Sequence, residues 1–448
     1  MNSSPPAYNN LSGPGVPSEI KWLVQLETLH LYFNAGIGGT FPDGVQNLRL
    51  LKSVGFQYCG FVGTIPSWLG EATQLTALGL GNSKFHGEVP SSFSKLNKLK
   101  FLALDNLAMT GNIDVFKPMR NLEILYLQQN IFTGSLEGFA ETWPNITELD
   151  ISNNMISGTL PNSIFDHKSL TVAALNSNYF RGSFPTDIFQ NSKLQYFSVQ
   201  RNQLSGTVTD RIGFLSNVEH LDLSFNLLTG SIPNTVRSLK MLRYFATSGN
   251  SFNASALVDL SQLTNLINLS MKANNIFGAL PDWIGLLTNL QLLDLGGNGL
   301  FGTIPSLIGL LSDLNYLLLN RNTLTGTIPT QLAGLGNLSV LLLDGNSFTG
   351  SANLICESGA IHPSVFTADC YPGTHGEPPE VRCNCCTTCC EVGNSNCITQ
   401  PWTSNVDPVG DYGTMRPVYT LSLQNAPALY SHSNNASIAS SNQVDSLP

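Results

Sequence analysis

Eight of the nine cysteines in this chain of 448 residues lie between positions 356 and 397. Thiols at this density either form disulfides or bind a metal ion as thiolates. The segment is too short to bury a hydrophobic core of its own, which favours disulfides that hold a small, loop-rich unit together. The cysteines that we predict to be disulfide-bonded are Cys356, Cys370, Cys383, Cys385, Cys386, Cys389, Cys390 and Cys397.

Zinc is the alternative for the same segment. Cys386 and Cys389 have the C-x-x-C spacing of zinc sites, and Cys383 with Cys385 would complete four thiolates. No histidine pair accompanies them, because His362 and His375 lie in loops rich in Pro and Gly. We therefore predict disulfides, with neither a metal nor another cofactor. The spacing does not choose among the possible pairings.

The elements that position these cysteines belong to a repeated pattern, which is clearest in residues 290–305 as L-x-x-L-x-L-x-x-N-x-L-x-G-x-I-P. Its asparagine, Asn298, recurs in steps of 24 residues from Asn154 to Asn346. This period and this leucine spacing are the signature of a leucine-rich repeat solenoid. We predict a horseshoe with a parallel β-sheet on the concave face, turns and 3₁₀ segments on the convex face, and a small Cys-rich carboxyl-terminal cap.

The register of the pattern divides the chain into four parts. We predict a partial repeat in residues 1–25, fourteen repeats in 26–350, the Cys-rich cap in 351–397 and a disordered tail in 398–448. The first 25 residues resemble the second half of a repeat and hold no signal peptide, so we expect the amino end to be truncated. Cys59 occupies an asparagine position and is expected to be a buried free thiol.

Residues that alternate with the leucines of each strand point off the concave face. Aromatic side chains among Arg and amide groups are typical of a recognition surface. This composition leads us to predict that the concave face binds a ligand. The candidate ligand-binding residues are Tyr32, Phe33, Tyr58, Tyr126, Gln128, Tyr196, Arg201, His220, Asp222, Phe225, Tyr244, Tyr316 and Arg321.

Catalysis has little support in the sequence, which contains no G-x-S-x-G, H-E-x-x-H, P-loop or set of kinase motifs. Asp150, Asp222 and Asp294 share one strand position, but three repeats separate each from the next. Turns stacked at roughly 4.8 Å would hold these carboxylates about 14 Å apart. That separation is too large for paired acid and base catalysis, which needs roughly 5–10 Å. We predict that the chain is not an enzyme.

The charge and the glycosylation sequons of the chain indicate a protein that lies outside the cell. Charged residues make up 11% of the chain and the formal net charge is −9, with no basic run, which argues against nucleic acid as a partner. The sequence also contains several N-x-S/T sequons, which are acceptor sites for N-glycosylation. The predicted glycosylation sites within the repeats are Asn145, Asn253, Asn268 and Asn337.

The repeat resembles the plant-type class of leucine-rich repeat found in ectodomains of receptor-like kinases, in receptor-like proteins and in polygalacturonase inhibitors. This resemblance covers residues 9–350. The cap, through Cys356, Phe366, Asp369, Cys370 and Glu380 with the cysteines that follow, resembles that of secreted or membrane-anchored leucine-rich repeat proteins of diatoms. The resemblance implies an extracellular or cell-surface location. Many relatives continue into a membrane span or a kinase, and this sequence contains neither.

These observations predict a non-enzymatic, receptor-like recognition module that binds an extracellular protein, peptide or glycan on its concave face. Association with a membrane would require a missing segment or a partner. Two alternatives stay open: a structural or adhesive wall protein, and an inhibitor of a secreted wall-degrading hydrolase. A receptor-kinase ectodomain separated from its kinase is a further form of the receptor hypothesis.

Overall fold

The computed structural model describes residues 11–187, 193–254, 257–357, 363–371 and 381–391. The predicted tail in 398–448 and the first ten residues lie outside this part, so the prediction of disorder stays untested. Across the described ranges the chain forms a solenoid of short parallel strands and 3₁₀ turns, as the repeat predicts. None of the helices described is long and apolar enough to cross a membrane.

One parallel sheet of sixteen strands forms the concave face, and its strands follow one another in chain order. Fourteen of them lie between residues 28 and 342, and the last two between residues 365 and 391. The strands are Thr28–His30, Ser53–Gly55, Ala77–Gly79, Phe101–Ala103, Ile124–Tyr126, Glu148–Asp150, Val172–Ala174, Tyr196–Ser198, His220–Asp222, Tyr244–Ala246, Asn268–Ser270, Leu292–Asp294, Tyr316–Leu318, Val340–Leu342, Val365–Tyr371 and Thr388–Glu391.

A second set of parallel strands follows the asparagine of each repeat and forms two outer sheets. The six-stranded sheet contains Ser12–Gly13, Gly36–Gly39, Gly60–Gly63, Lys84–Glu88, Ala108–Asn112 and Ile131–Thr133. The ten-stranded sheet contains Ser157–Gly158, Tyr179–Ser183, Gln203–Thr207, Leu227–Gly230, Ser251–Ala254, Asn275–Ala279, Gly299–Gly302, Thr323–Thr327, Ser347–Ser351 and Val381–Arg382.

Short helices complete the convex side, as expected for segments that follow Gly-x-Ile-Pro. The 3₁₀ helices are Ser18–Trp22, Asp43–Asn47, Ser67–Glu71, Ser91–Lys95, Ile113–Phe116, Asp210–Phe214, Asn234–Ser238, Asp282–Leu286, Ser306–Leu310 and Thr330–Gly334. Three single-turn α-helices span Phe139–Thr142, Ser163–Asp166 and Asn353–Glu357.

The leucines of the pattern form one continuous core that runs the length of the solenoid. Leu290, Leu293 and Leu295 are fully buried, and the equivalent residues of the other repeats pack against them. Each repeat buries these side chains on its two neighbours, because a unit of this size has too little apolar surface to fold alone. The core therefore fixes which residues are left to face the concave side.

The recurring asparagine joins each turn to the one before it. Asn298 donates its amide hydrogens to the carbonyl oxygens of Met271 and Leu295, both at 3.0 Å, and accepts a hydrogen bond from the backbone N–H of Ile276 at 3.2 Å. The same pattern repeats at Asn322. These backbone groups lie where no strand can pair with them, so the side chain satisfies them instead.

The recurring asparagines form a series of hydrogen bonds along the solenoid, which we name the asparagine ladder. Where another residue replaces asparagine, the ladder contains fewer hydrogen bonds. The Cys59 thiol is buried and free, as predicted, and its Sγ lies 3.0 Å from the carbonyl oxygen of Leu31. Burial raises the pKa of the thiol, which keeps it protonated. In the next repeat the Ser83 hydroxyl donates to the carbonyl oxygen of Phe56 at 2.9 Å. Each substitute makes fewer bonds than asparagine does.

The Cys-rich segment continues the solenoid and closes its end. Strand Val365–Tyr371 pairs with the last repeat, and the Asp369 carboxylate accepts hydrogen bonds from the backbone N–H groups of Gly345 and Asn346 at 3.1 Å. Disulfides join Cys370 to Cys389 and Cys383 to Cys386.

Cys385 and Cys390 are also disulfide-bonded. All four sulfur atoms of the zinc alternative are thus taken up in disulfides, which excludes that alternative in this state. The side chain of Cys356 and the whole of Cys397 lie outside the described residues.

Candidate functional site

The sequence analysis treats the candidate binding residues as one recognition surface on the concave face, but four of them are buried and cannot offer an exposed side chain to a ligand. Equivalent side chains in adjacent turns cover one another, since neighbouring strands are only about 4.8 Å apart. The buried ones are Tyr32, His220, Asp222 and Tyr244; the half-buried ones are Phe33, Tyr126, Gln128, Tyr196 and Tyr316; the exposed ones are Tyr58, Arg201, Phe225 and Arg321.

The buried tyrosines do not join the leucine core. Tyr32 packs in a separate cluster with Phe101 and Ile124, and Tyr244 packs with Leu292 and Tyr316. Both clusters consist of side chains that point off the concave sheet. The direction predicted for these tyrosines is therefore correct, and only their exposure is not.

Six of the candidate residues, Tyr196, Arg201, His220, Asp222, Phe225 and Tyr244, come together in three consecutive repeats, and we name them the central tract. Parallel pairing sets Tyr196 beside His220 and His220 beside Tyr244. The three rings stack face to face, with centroids 4.1 Å apart at both steps. The repeat register thus builds a continuous aromatic row without any loop.

The His220 imidazole is enclosed by the two tyrosine rings. Burial lowers the pKa of His220 to about 3, so the ring is neutral at physiological pH. Its Nδ1 atom is buried and accepts no hydrogen bond within the part of the chain that the structure describes. Imidazolium in this position would lose its hydration without gaining an anionic partner.

We expect acid to destabilise the chain through His220. Because the folded pKa lies below the ordinary value of 6.5, this residue contributes stability above pH 6.5, and the contribution is lost as pH falls toward 3. Between pH 6.5 and 5 the free energy of unfolding of wild type should fall by about 1.5 kcal/mol relative to the variant His220→Phe. Urea unfolding of both proteins at the two pH values tests this. Parallel pH curves would contradict it.

The buried carboxylate of Asp222 has a local structural role. Asp222 accepts a hydrogen bond from the backbone N–H of Ser224 at 2.9 Å. Burial raises the pKa of Asp222 to about 6, although the hydrogen bonds from Ser224 and the charge of Arg201 counteract the rise. Asp150 and Asp294 make the same bond to the residue two positions on, at 3.0 and 3.1 Å. The three carboxylates that share this strand position therefore hold the turn that follows each strand.

A backbone feature distinguishes Arg201 and Phe225 from the rest of the tract. Both residues have left-handed φ angles, 55° and 53°, at the position before the ladder asparagine. The same position is left-handed in the other repeats as well, where it holds glycine, as at Gly249, or another residue, as at Ser177 and Ala273. An L-residue with a side chain is strained there by about 1–2 kcal/mol, whereas glycine is not.

The strained pair forms one exposed surface. The Arg201 guanidinium lies 5.3 Å from the centroid of the Phe225 ring, a cation–π contact. The ring in turn lies over Gly249, where a Cβ atom would approach it to 2.6 Å. Glycine at that position lets the ring lie flat beside the aromatic row, where it remains 37% exposed.

A second aromatic surface lies near the amino end. Phe33 and Tyr58, also at left-handed positions, stack with centroids 4.7 Å apart. Tyr126 donates a hydrogen bond to the Glu148 carboxylate. Gln128 and Arg321 lie on other turns, away from both surfaces along the chain, so the structure does not gather all thirteen candidates into one site.

Apolar concave residues were missed by the sequence reasoning. Phe101, Ile124, Leu292 and Leu318 occupy the same strand positions as the candidate tyrosines and help to form the concave clusters. The register alone identifies them, because in their own repeats they occupy the strand position of Tyr196 or of Tyr126. The sequence contains this register, but apolar residues in a strand of a leucine-rich repeat resemble core residues.

The sequons differ in how much room a glycan would have. Asn145, Asn253 and Asn337 are exposed, whereas Asn268 is 7% exposed in a concave strand between Tyr244 and Leu292. This burial disfavours a sugar at Asn268.

For protein secreted from a eukaryotic host, glycopeptide mapping should find glycans at Asn145, Asn253 and Asn337 and none at Asn268. The physical reason is steric, since the Asn268 amide lies within the sheet surface. A glycosylated Asn268 in folded protein would contradict the packing of this strand.

Comparisons with known proteins agree with this architecture. A family model for the Leucine Rich Repeat matches residues 145–166, 217–239 and 289–311. Comparison with curated proteins gave no match. Among solved structures, the plant peptide hormone receptor RGFR1 in complex with RGF2 is 27% identical, with a TM-score of 0.65, and the match covers 81% of this chain and 66% of that one.

Two further structures match over similar lengths. A TDR receptor is 26% identical with a TM-score of 0.69, covering 77% of this chain and 63% of the receptor chain. The LRR protein LIC12759 of Leptospira interrogans is 26% identical with a TM-score of 0.60, covering 77% and 90%. The chain spans about two thirds of the length of the two receptors. Its fold is a leucine-rich repeat solenoid similar to those of these two receptors and of the bacterial protein.

Proposed function

We propose that this chain is the extracellular recognition part of a receptor-like or secreted protein, and that it binds a peptide or a peptide segment of a protein on its concave face. The central tract is the proposed centre of binding. The observation that carries the proposal is the exposed cation–π pair of Arg201 and Phe225 together with the stacked rings of Tyr196, His220 and Tyr244.

The left-handed conformation belongs to the repeat, because Ser177 and Ala273 adopt it at the equivalent position. The type and the exposure of the side chains at 201 and 225 therefore support the proposal, and the backbone conformation does not. Arg and aromatic residues are also the types that dominate binding energy at protein interfaces. The fold accommodates Arg201 and Phe225 at this position, and ligand recognition would explain why an arginine and an aromatic residue occupy it.

A peptide suits the shape of the tract. The aromatic row of Tyr196, His220 and Tyr244 runs along the solenoid axis, and Arg201 with Phe225 runs beside it. An extended chain lying along the two rows would meet apolar rings, a guanidinium and hydroxyl groups in turn. RGFR1, which shares the fold, is a peptide hormone receptor solved with RGF2. This similarity supports a peptide more than a glycan.

A binding panel tests the class of ligand. Immobilised chain would be offered a displayed library of random peptides, a set of wall polysaccharides and a set of secreted wall-degrading hydrolases. We expect enrichment of peptides, competed by soluble chain. Retention of polysaccharides alone would favour an adhesive role instead, and inhibition of a hydrolase would favour an inhibitor; either result without peptide binding would overturn the proposal.

A further inference from the structure

The repeat that begins at Leu242, which we name the Thr247 repeat, carries a polar side chain inside the leucine core. Thr247 occupies the third leucine position of the pattern, which holds Leu223 and Met271 in the two neighbouring repeats. Its side chain is 1% exposed, and its hydroxyl oxygen forms no hydrogen bond among the residues that the structure describes. Burial of an unpaired hydroxyl group destabilises the folded state of this repeat.

A small cavity of about 10 Å³ adjoins Thr247. Its lining includes Leu221 and Leu223 of the preceding repeat and Phe245 and Phe252 of the Thr247 repeat. Among the residues described, Thr247 is the one polar side chain of the lining. A cavity of this size holds at most one water molecule, and a buried water needs about two to four polar partners. The lining therefore offers no well-bonded water to pair with the hydroxyl.

The convex side of the Thr247 repeat is also less regular than that of its neighbour. In the preceding repeat the backbone N–H of Val236 donates to the carbonyl oxygen of Pro233 at 3.1 Å, within a 3₁₀ helix. The equivalent residues, Leu260 and Leu257, form no such bond, and the described residues 257–267 contain no helix. The Thr247 repeat thus lacks interactions both in the core and on the convex side.

The same repeat supplies part of the central tract. Tyr244 forms one end of the aromatic row, and the Phe225 ring lies over Gly249. Thr247 lies between Tyr244 and Gly249 in the chain, facing the core while the tract faces the concave side. A local opening of residues 244–249 would separate Tyr244 from the rest of the row and remove the surface on which the Phe225 ring lies.

We propose that the solenoid opens locally at the Thr247 repeat, and that this opening takes the central tract apart. Local stability falls where buried contacts and hydrogen bonds are few. Each interior repeat is held by two neighbours, so a solenoid normally opens first at its ends, and Thr247 makes one interior repeat an exception. A ligand that spans Phe225 and Tyr244 binds only the closed form and stabilises it. The opening is independent of the proposed function, whereas the effect of a ligand rests on it.

Native-state hydrogen exchange of the full chain, read by mass spectrometry, tests the opening without a ligand. Corrected for intrinsic rates, the backbone amides of residues 244–249 should exchange about tenfold faster than those of 292–297, where Leu295 fills the position of Thr247. Thr247→Val keeps the shape of the side chain and removes the hydroxyl. It should slow exchange in 244–249 about tenfold, because the buried unpaired group is gone.

Val199→Thr is the matched control, because Val199 fills the equivalent core position two repeats away. This variant introduces the same buried hydroxyl and should speed exchange in residues 196–201 about tenfold. Equal exchange of 244–249 and 292–297 in wild type, or exchange in 244–249 that does not respond to Thr247→Val, would overturn the inference.

A peptide enriched from the displayed library tests the effect of a ligand. At a free peptide concentration about hundredfold above its Kd, exchange in residues 244–249 should slow about hundredfold, and exchange in 292–297 should not change. Unchanged exchange in 244–249 would show that the ligand does not close this repeat. Failure to enrich any peptide would overturn the proposed function and with it the ligand effect, whereas the free chain alone still decides whether the opening exists.

Discussion

Peptide binding is expected to weaken about hundredfold or more when Tyr196→Ala, Arg201→Gly and Phe225→Gly are combined, since aromatic and Arg hot spots typically contribute about 2 kcal/mol or more each. Stability should change by less than about 1 kcal/mol, because glycine at the two left-handed positions relieves strain that offsets the lost ring contacts. Titration calorimetry with an enriched peptide and urea unfolding of the same protein measure both effects.

The control is Phe301→Thr on the outer face. Phe301 is about half exposed, and Thr325 fills the equivalent position of the next repeat. This variant removes an exposed phenyl ring without touching the concave side, and we expect full binding. If the triple variant binds as wild type does, or loses binding only because it unfolds, the central tract is not the recognition surface.

The second large effect concerns stability. Asn298→Ala should lower the free energy of unfolding by about 3 kcal/mol, because the carbonyl oxygens of Met271 and Leu295 and the N–H of Ile276 lose their partner inside the solenoid. Chemical denaturation measures the loss. Alanine is compatible with most backbone conformations, so a change in backbone propensity should not mask this loss of stability.

Cys59→Ala provides the comparison within the same ladder. The Cys59 thiol is a weak donor, and its Sγ lies 3.0 Å from one carbonyl oxygen and 3.6 Å from another. We expect its loss to lower stability by about 1 kcal/mol or less. Equal effects of the two substitutions would mean that the asparagine bonds contribute little to the joining of successive turns.

The fold follows from the sequence because its signals are local and repeated. Asn298 and its equivalents set a register, and the register decides which residues enter the core and which face the concave side. The outer strands and 3₁₀ turns follow from the Gly-x-Ile-Pro segment. The cap was less predictable, since cysteine spacing alone does not give the pairing of Cys370 with Cys389.

The register predicts which candidate residues share the concave face, but it does not predict how they pack against one another. Register placed Tyr196, His220 and Tyr244 on adjacent strands, but their burial arises from mutual stacking across turns, which no single strand reveals. The left-handed conformation at Phe225 belongs to the turn of the repeat, because Tyr58 and Asn82 adopt it although Cys59 and Ser83 follow them in place of asparagine.

Radical footprinting of the chain with and without a selected peptide tests the central claim most directly, because it reports on both faces in one experiment. Bound peptide should protect Tyr196 and Phe225 from oxidation, and the exposed outer rings of Phe277 and Phe301 serve as internal references. We predict protection of the concave rings with no change at the outer ones. Protection of Phe277 and Phe301, with Tyr196 and Phe225 still oxidised as in free protein, would contradict the account.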